Sequence, residues 1–125
     1  MLRAESFTPF VFNFEKLDVW RKAIDFAGLV YRLTRSFPPD ERFGLTNQLR
    51  RAASSVASNI AEGSARPPAD FAKFIGYASG SAYEVITQAT IARNEGFLSA
   101  VDFETLYRDA EGISRMLSGL RKSLE

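Results

Sequence analysis

The feature that most constrains the fold is a run of apolar residues near the end of the sequence, spaced alternately by three and four positions. The residues of this run are Phe103, Leu106, Ala110, Ile113, Leu117, Leu120 and Leu124. This spacing places all of them on one side of an α-helix and is typical of the seam along which bundled helices pack. Ser99 and Asp102 resemble a capping box and predict where the helix begins. A chain with such a helix needs other helices to pack against it.

Two segments upstream also have helical periodicity, and each is bounded by proline or glycine. The first is predicted over residues 45–62, with Gly63 as the residue just beyond its end. The second follows two prolines, has Pro68 in its first turn and ends near residue 95, before Gly96. The predicted inner faces are Leu45, Leu49, Ala52, Val56 and Ile60 in the first, and Phe71, Phe74, Ile75, Ala78, Ala82, Val85, Ala89 and Ala92 in the second.

The earliest helix, predicted over residues 17–36, carries two apolar stripes side by side. We expect Leu17, Trp20, Ile24, Ala27 and Tyr31 to face the core. The second stripe contains Val19, Ala23, Phe26, Val30 and Leu33. A helix in a four-helix bundle shows one face to water, so the second stripe needs cover from another molecule. Phe26 and Val30 are therefore candidate interface residues, and self-association is expected.

These segments predict an all-α fold, an antiparallel up-down-up-down four-helix bundle over residues 15–125. Residues 1–14 form an extended N-terminal arm, in which residues 7–14 contain four phenylalanines. This arm is too hydrophobic for an ordinary solvated tail. It is expected to dock either on its own bundle or on a neighbouring subunit, and the sequence does not choose between them.

Composition excludes several kinds of chemistry. The 125 residues include no cysteine and no histidine, which removes disulfides, thiolate or imidazole metal ligands and histidine acid/base catalysis. Glu62 and Glu84 are a conceivable carboxylate pair, but bundle di-metal sites use Glu-x-x-His motifs. No phosphate loop or nucleophile motif occurs. We expect no enzyme activity and no cofactor.

The length of apolar runs bears on the compartment. No run reaches the roughly 18 apolar residues that a membrane span requires. Residues 1–14 lack the features of a signal peptide, because Glu5 and Asn13 interrupt the apolar stretch and no small-residue cleavage site follows. A cytoplasmic protein that does not engage membranes is expected.

Polar residues along the second helix form the main candidate site. Gln48, Arg51, Ser55, Asn59 and Glu62 recur at intervals of three and four, so they line one face. Glu84 and Gln88 on the third helix are expected nearby. This face is interpreted as a catalytic site, a nucleic-acid surface, a polar subunit interface or simply a solvated face. Glu62 and Glu84 are expected to be buried and to pair with an arginine, above all Arg50 or Arg51 of the same or an adjacent chain, because buried carboxylates need compensation.

Arginines on and beside the second helix form a second candidate site. Arg50, Arg51 and Arg66, joined by Arg42, are candidates for a basic patch that contacts phosphates. The net charge of the chain is only +1, so such a patch gains strength only if assembly repeats it. Helix faces without aromatic stacking platforms are expected to hold a nucleic-acid backbone with little base preference.

Several stretches of the sequence form a recognisable set: FEKLDVW (14–20), FP (37–38) with Glu41, FGLTNQLRRAA (43–53), Ser55-Val56, NIAEG (59–63) and ASGS (78–81) with Glu84. With these stretches the chain resembles a known family of small four-helix-bundle proteins, encoded within intervening sequences of bacterial large-subunit (23S) ribosomal RNA genes. The stretches extend over nearly the whole chain from Phe14 onward. The NIAEG stretch and the later GS-x-x-E are the specific part of the resemblance.

The resemblance implies a homopentamer, and kinship with the accessory variability determinant of diversity-generating retroelements, a pentamer that engages reverse transcriptase and nucleic acid. Asn59, Glu62, Gly63, Ser81 and Glu84 occupy the family's motif positions, to which no catalytic role attaches. The long aromatic N-terminus and the nearly neutral charge depart from the pattern. The sequence thus predicts a homo-oligomeric, non-enzymatic bundle with RNA or an RNA-associated protein as candidate partner; the alternative is a protein–protein scaffold without a nucleic-acid role.

Overall fold

The structure, a computed structural model, describes residues 12–125 and contains four α-helices over that range. They are α1 (Asp18–Thr34), α2 (Leu45–Ser64), α3 (Pro68–Asn94) and α4 (Ala100–Ser123). Short 3₁₀ turns, Asn13–Lys16 and Pro39–Glu41, precede α1 and α2. Each helix packs against its two neighbours in a closed ring, α1 against α4 included. The predicted all-α, antiparallel four-helix bundle is confirmed.

The most buried residues of α1 belong to the second stripe, although Leu17, Trp20 and Ala27 of the predicted core stripe are half-buried and pack against the core. Phe26 and Val30 are each only 1% exposed, and Val19 and Ala23 are also buried. Ile24, assigned to the core from the sequence, is 44% exposed, and Tyr31 is similarly exposed. The expectation that Phe26 and Val30 lie outside the core of the single chain is therefore wrong. Both stripes belong to one wide apolar arc, of which the bundle buries the edge with Phe26 and Val30 most completely.

Helices α2 and α3 form the closest contact in the bundle. The predicted inner face of α2 is buried throughout. Gly63 lies inside the helix and not beyond its end, and this corrects its predicted capping role. A Cβ atom built on Gly63 would be 2.6 Å from the Cβ of Phe74 and 2.9 Å from Cδ1 of Phe71. Only a glycine lets α3 approach α2 at this position.

The ends of α3 and α4 follow the predicted signals. Gly96 has a positive φ of 81°, and Phe97 N–H donates to the Ala92 carbonyl at 2.8 Å, which is the reversal expected at a glycine-terminated helix. Ser99 then caps α4, its Oγ accepting a hydrogen bond from Asp102 N–H at 3.1 Å. The ring of Phe97 packs on Phe37, with centroids 5.9 Å apart, so the α1–α2 and α3–α4 connections touch at one end of the bundle.

The described end of the N-terminal arm packs on its own chain. The ring of Phe14 lies 5.0 Å from that of Trp20, and Phe12 stacks on Phe14 at 5.6 Å. The rest of the arm, residues 1–11, lies outside the described residues. Whether that part docks on its own bundle or on a neighbouring subunit therefore stays a prediction.

Candidate functional site

Arg50 fastens the end of α1 to α2. Its Nε donates to Thr34 Oγ1 at 2.9 Å, and a terminal nitrogen donates to the Tyr31 carbonyl at 3.3 Å. The guanidinium also lies over the Tyr31 ring, 4.6 Å from its centroid. Cations are favourable near the carbonyl end of a helix, and a cation over an aromatic face adds to this. Arg50 thus has a structural task that the sequence did not indicate.

The three arginines proposed as one basic patch are not together in a single chain. Sixteen positions separate Arg50 from Arg66, or about 24 Å along a helix. Arg66 lies beyond the end of α2, where it pairs with Glu62 at 3.1 Å and covers the Phe74 ring at 4.9 Å. Arg51 is exposed on the outer side of α2. The expected patch is therefore divided between the two ends of the helix.

The two candidate carboxylates are exposed, and neither pairs with Arg50 or Arg51 within the described chain. Glu62 is partnered by Arg66, one turn later. Glu84 Oε2 accepts a long hydrogen bond, 3.5 Å, from Gln88 Nε2. The prediction of buried glutamates compensated by Arg50 or Arg51 fails inside one chain, because both carboxylates point to solvent and need no buried cation.

About half of the polar stripe on α2 faces α3. Ser81 Oγ donates to Ser55 Oγ at 3.0 Å, and Asn59 Nδ2 donates to the Ser55 carbonyl and hydroxyl, both at 2.9 Å. Nearer the other end, Gln88 Nε2 donates to Gln48 Oε1 at 3.4 Å. The Ser55–Ser81 and Gln48–Gln88 bonds make a polar seam between α2 and α3, whereas the bonds of Asn59 lie within α2. Gln48, Asn59 and Ser81 are thus engaged inside the chain, while Arg51 and Glu62 face outward.

Large apolar side chains lie on the outside of the bundle. Between α3 and α4, Tyr83 is 64% and Tyr107 is 52% exposed, and with Ile86 and Ala110 they line an open groove of about 370 Å³. Ile24 and Tyr31 continue this pattern on α1, and Tyr77 and Ile91 do so on the α2 side of α3. The surplus apolar surface expected from the sequence is present, but different residues supply it.

Phe43 is an exposed aromatic residue that the helical periodicity of the sequence does not reveal. This residue follows the 3₁₀ turn before α2 and is 85% exposed, with the Arg42 guanidinium 5.3 Å from its ring centroid. The expectation of arginines without an aromatic platform is therefore incomplete. The available signal was an aromatic residue between Arg42 and Gly44, outside every helical stripe and hence without a core position to fill.

Metal-binding clusters and membrane-spanning helices are both absent from residues 12–125. No group of three or more acidic side chains converges there as metal ligands. No helix in this range is long and apolar enough to cross a membrane.

Comparison with known proteins bears on family and fold. Residues 15–119 match the family model described as 23S rRNA-intervening sequence protein. A crystal structure of a protein with unknown function from the S23 ribosomal protein family, from Bacteroides thetaiotaomicron, superposes with a TM-score of 0.76 at 22% sequence identity. The alignment covers 83% of this chain and 95% of that one. At this identity the likeness supports the fold alone. No curated protein matches the chain.

Proposed function

Since the chain belongs to the family of 23S rRNA-intervening sequence proteins, we propose that it is a homo-oligomeric binding protein without catalytic activity, with RNA as its partner. Five protomers is the expected number, as the family resemblance implies. The observation that carries the proposal is the apolar surface outside the bundle, above all the groove between Tyr83 and Tyr107.

Assembly follows from the cost of leaving this surface in water. Burial of apolar area contributes roughly 25 cal/mol per Å², and large exposed apolar patches generally mark interaction sites. The exposed groups lie on α1, α3 and α4 and so face several directions. A head-to-tail ring joins two different faces of each subunit and covers more than one such patch. One two-fold contact would leave the other faces uncovered.

The absence of catalysis is supported by the residue inventory. The chain has no histidine or cysteine, and the carboxylates at the motif positions, Glu62 and Glu84, lie in the open and contact Arg66 and Gln88. In residues 12–125 neither belongs to a cluster of acidic side chains that could hold a metal ion. Glu62 and Glu84 could contact a binding partner without any such cluster.

RNA is favoured as partner by the family's name and by the exposed arginines, Arg51 among them, which a closed ring would repeat once per subunit. The alternative, a protein–protein scaffold, is supported by the same apolar surface. Salt dependence separates the two, because phosphate contacts release counterions and weaken steeply as salt increases.

Assembly is tested first, by native mass spectrometry and sedimentation velocity on the full chain at micromolar concentration. We expect one species of several protomers. A monodisperse monomer would overturn the proposal.

Nucleic-acid binding is tested next with the assembled protein and labelled structured and single-stranded RNA, between low and physiological salt. Replacement of both Arg42 and Arg51, which are exposed, by glutamine should weaken binding of all RNAs together, without changing their order. Absence of binding at low salt would leave the scaffold as the function. Tight binding of a single RNA would contradict backbone recognition.

A further inference from the structure

One end of the bundle concentrates the positive charge of the chain. Residues 31–51, from the last turn of α1 to the second turn of α2, contain five arginines, no lysine and two acidic residues. Their net charge is therefore +3. Since the whole chain carries +1, all other residues together carry −2. The basic character is local, and the nearly neutral total conceals it.

The arginines of this segment differ from four other arginines on the surface in their partners. Arg21, Arg66, Arg108 and Arg115 each pair with a carboxylate three or four residues away. No described carboxylate oxygen lies within 4.0 Å of an arginine in residues 31–51. Of the two acidic residues present, Glu41 is engaged by the backbone N–H of Leu45 at 3.2 Å. Within residues 12–125, Arg50 donates to Thr34 and Tyr31, and the other guanidinium groups of the segment have no ion-pair partner.

Aromatic rings lie among these charges. Phe43 is 85% exposed and has Arg42 beside it, and Tyr31 carries Arg50. An exposed aromatic side chain flanked by cations is the arrangement by which proteins bind single-stranded nucleic acid, since bases stack on the ring and phosphates meet the charges.

We propose that single-stranded RNA binds at the α1–α2 end of the bundle, with a base stacked on Phe43 and phosphates held by Arg35, Arg42 and Arg51. The proposal rests on the RNA partner of the proposed function and assigns its contact surface. Arg50 contributes charge from its fixed position over Tyr31. Because a phenyl ring stacks with every base, the site prefers unpaired bases over duplex but has little sequence preference.

The test measures fluorescence anisotropy of a labelled oligoadenylate of roughly ten nucleotides, within the usual range of such sites, binding to the assembled full chain. Two further probes are a duplex of equal length and an oligomer of the same backbone without bases. Phe43→Ala should lower affinity for the oligoadenylate by about tenfold, as expected for one stacked base. Phe43→Trp should retain it, and Arg42→Gln should reduce the salt slope by about one.

The controls are Val101→Ala, an exposed apolar side chain on α4, and Arg108→Gln, an arginine paired with Glu104. Neither should change binding. Phe43→Ala should melt like the parent and keep its number of protomers, because the ring makes little contact with its own chain.

Three results would overturn the inference. The first is a Phe43→Ala protein that binds as tightly as the parent, which would refute this surface but keep RNA as partner. The second is equal affinity for the base-free oligomer. The third is a changed number of protomers in Phe43→Ala, which would place Phe43 in a subunit interface. If the parent binds no RNA at low salt, the RNA partner of the proposed function fails as well.

Discussion

Helix α3 packs against its two neighbours in contrasting ways. On the α2 side, Gly63 admits the rings of Phe71 and Phe74, and Ser55 and Ser81 join the backbones through short side chains. On the α4 side, Tyr83 and Tyr107 lie over Ala82 and Ala110 and leave an open groove. Helices α2 and α3 are closely packed within one chain, whereas the α3–α4 face has an open groove that the proposed assembly would fill. Small residues between two helices allow close approach, whereas large apolar residues exposed beside the contact are typical of interaction sites.

The largest effect is expected at the closest contact. Gly63→Ala introduces a Cβ at 2.6 Å from Phe74 Cβ, so the two helices must separate. Overpacking of this kind typically destabilises by about 1–3 kcal/mol. Urea denaturation at fixed protomer concentration measures it. An unchanged midpoint would show that α2 and α3 are not held as closely as described.

On the other side of α3, the double substitution Tyr83→Ser and Tyr107→Ser should affect assembly more than folding. Removal of two aromatic rings from an interface commonly weakens it by tenfold or more, about 1.4 kcal/mol or above. Sedimentation over a dilution series gives the assembly constant, and circular dichroism checks the helices. Thr105→Ala, which alters an exposed side chain outside the groove, is the control. Unaltered assembly would remove the groove from the subunit interface.

A smaller effect of opposite sign is expected at Gly80. No described atom lies within 4 Å of a Cβ built there, so Gly80→Ala should gain about 1 kcal/mol from helix propensity. Thermal or urea unfolding would detect the increase. A loss of stability would mean that another subunit approaches α3 at this point. Close packing at a glycine would then occur on both sides of α3.

The smallest effect is expected at Gln88, which is 8% exposed and has a buried Oε1 with no described partner. Gln88→Met removes this orphan acceptor along with two long hydrogen bonds to Gln48 and Glu84. The two terms nearly cancel, so unfolding should change by less than about 1 kcal/mol. A loss well above that would show that the polar seam contributes more to α2–α3 packing than its geometry indicates.

The sequence predicts the helices well where one signal dominates. The regular spacing from Phe103 to Leu124, the cap at Ser99 and the glycine at position 96 each admit one interpretation, and the structure agrees. On α1 the apolar residues cover a continuous arc wider than the bundle can bury. Nothing local distinguishes the edge with Phe26 from the edge with Ile24, because the choice depends on the position of α2 and α4. The sequence therefore identified the surplus but assigned it to the wrong residues.

The candidate site was predicted less well, for a related reason. Helical periodicity locates side chains on a face but does not reveal which of them another helix engages. Arg50 and Asn59 look free in the sequence, yet they contact α1 and an adjacent turn of α2. Phe43 was overlooked because it belongs to a connection, where periodicity has no meaning. Only the structure shows that Phe43 is exposed and takes no part in the core.

The contact between Phe37 and Phe97 has a consequence for how the α1–α2 connection responds to a ligand. Phe37 is buried, and the hydrogen bond from Leu45 to Glu41 holds the same connection at its other end. A segment restrained at both ends has already lost most of its conformational entropy on folding. A ligand that contacts Phe43 would therefore meet a pre-organised site and bind without the penalty of ordering a loop.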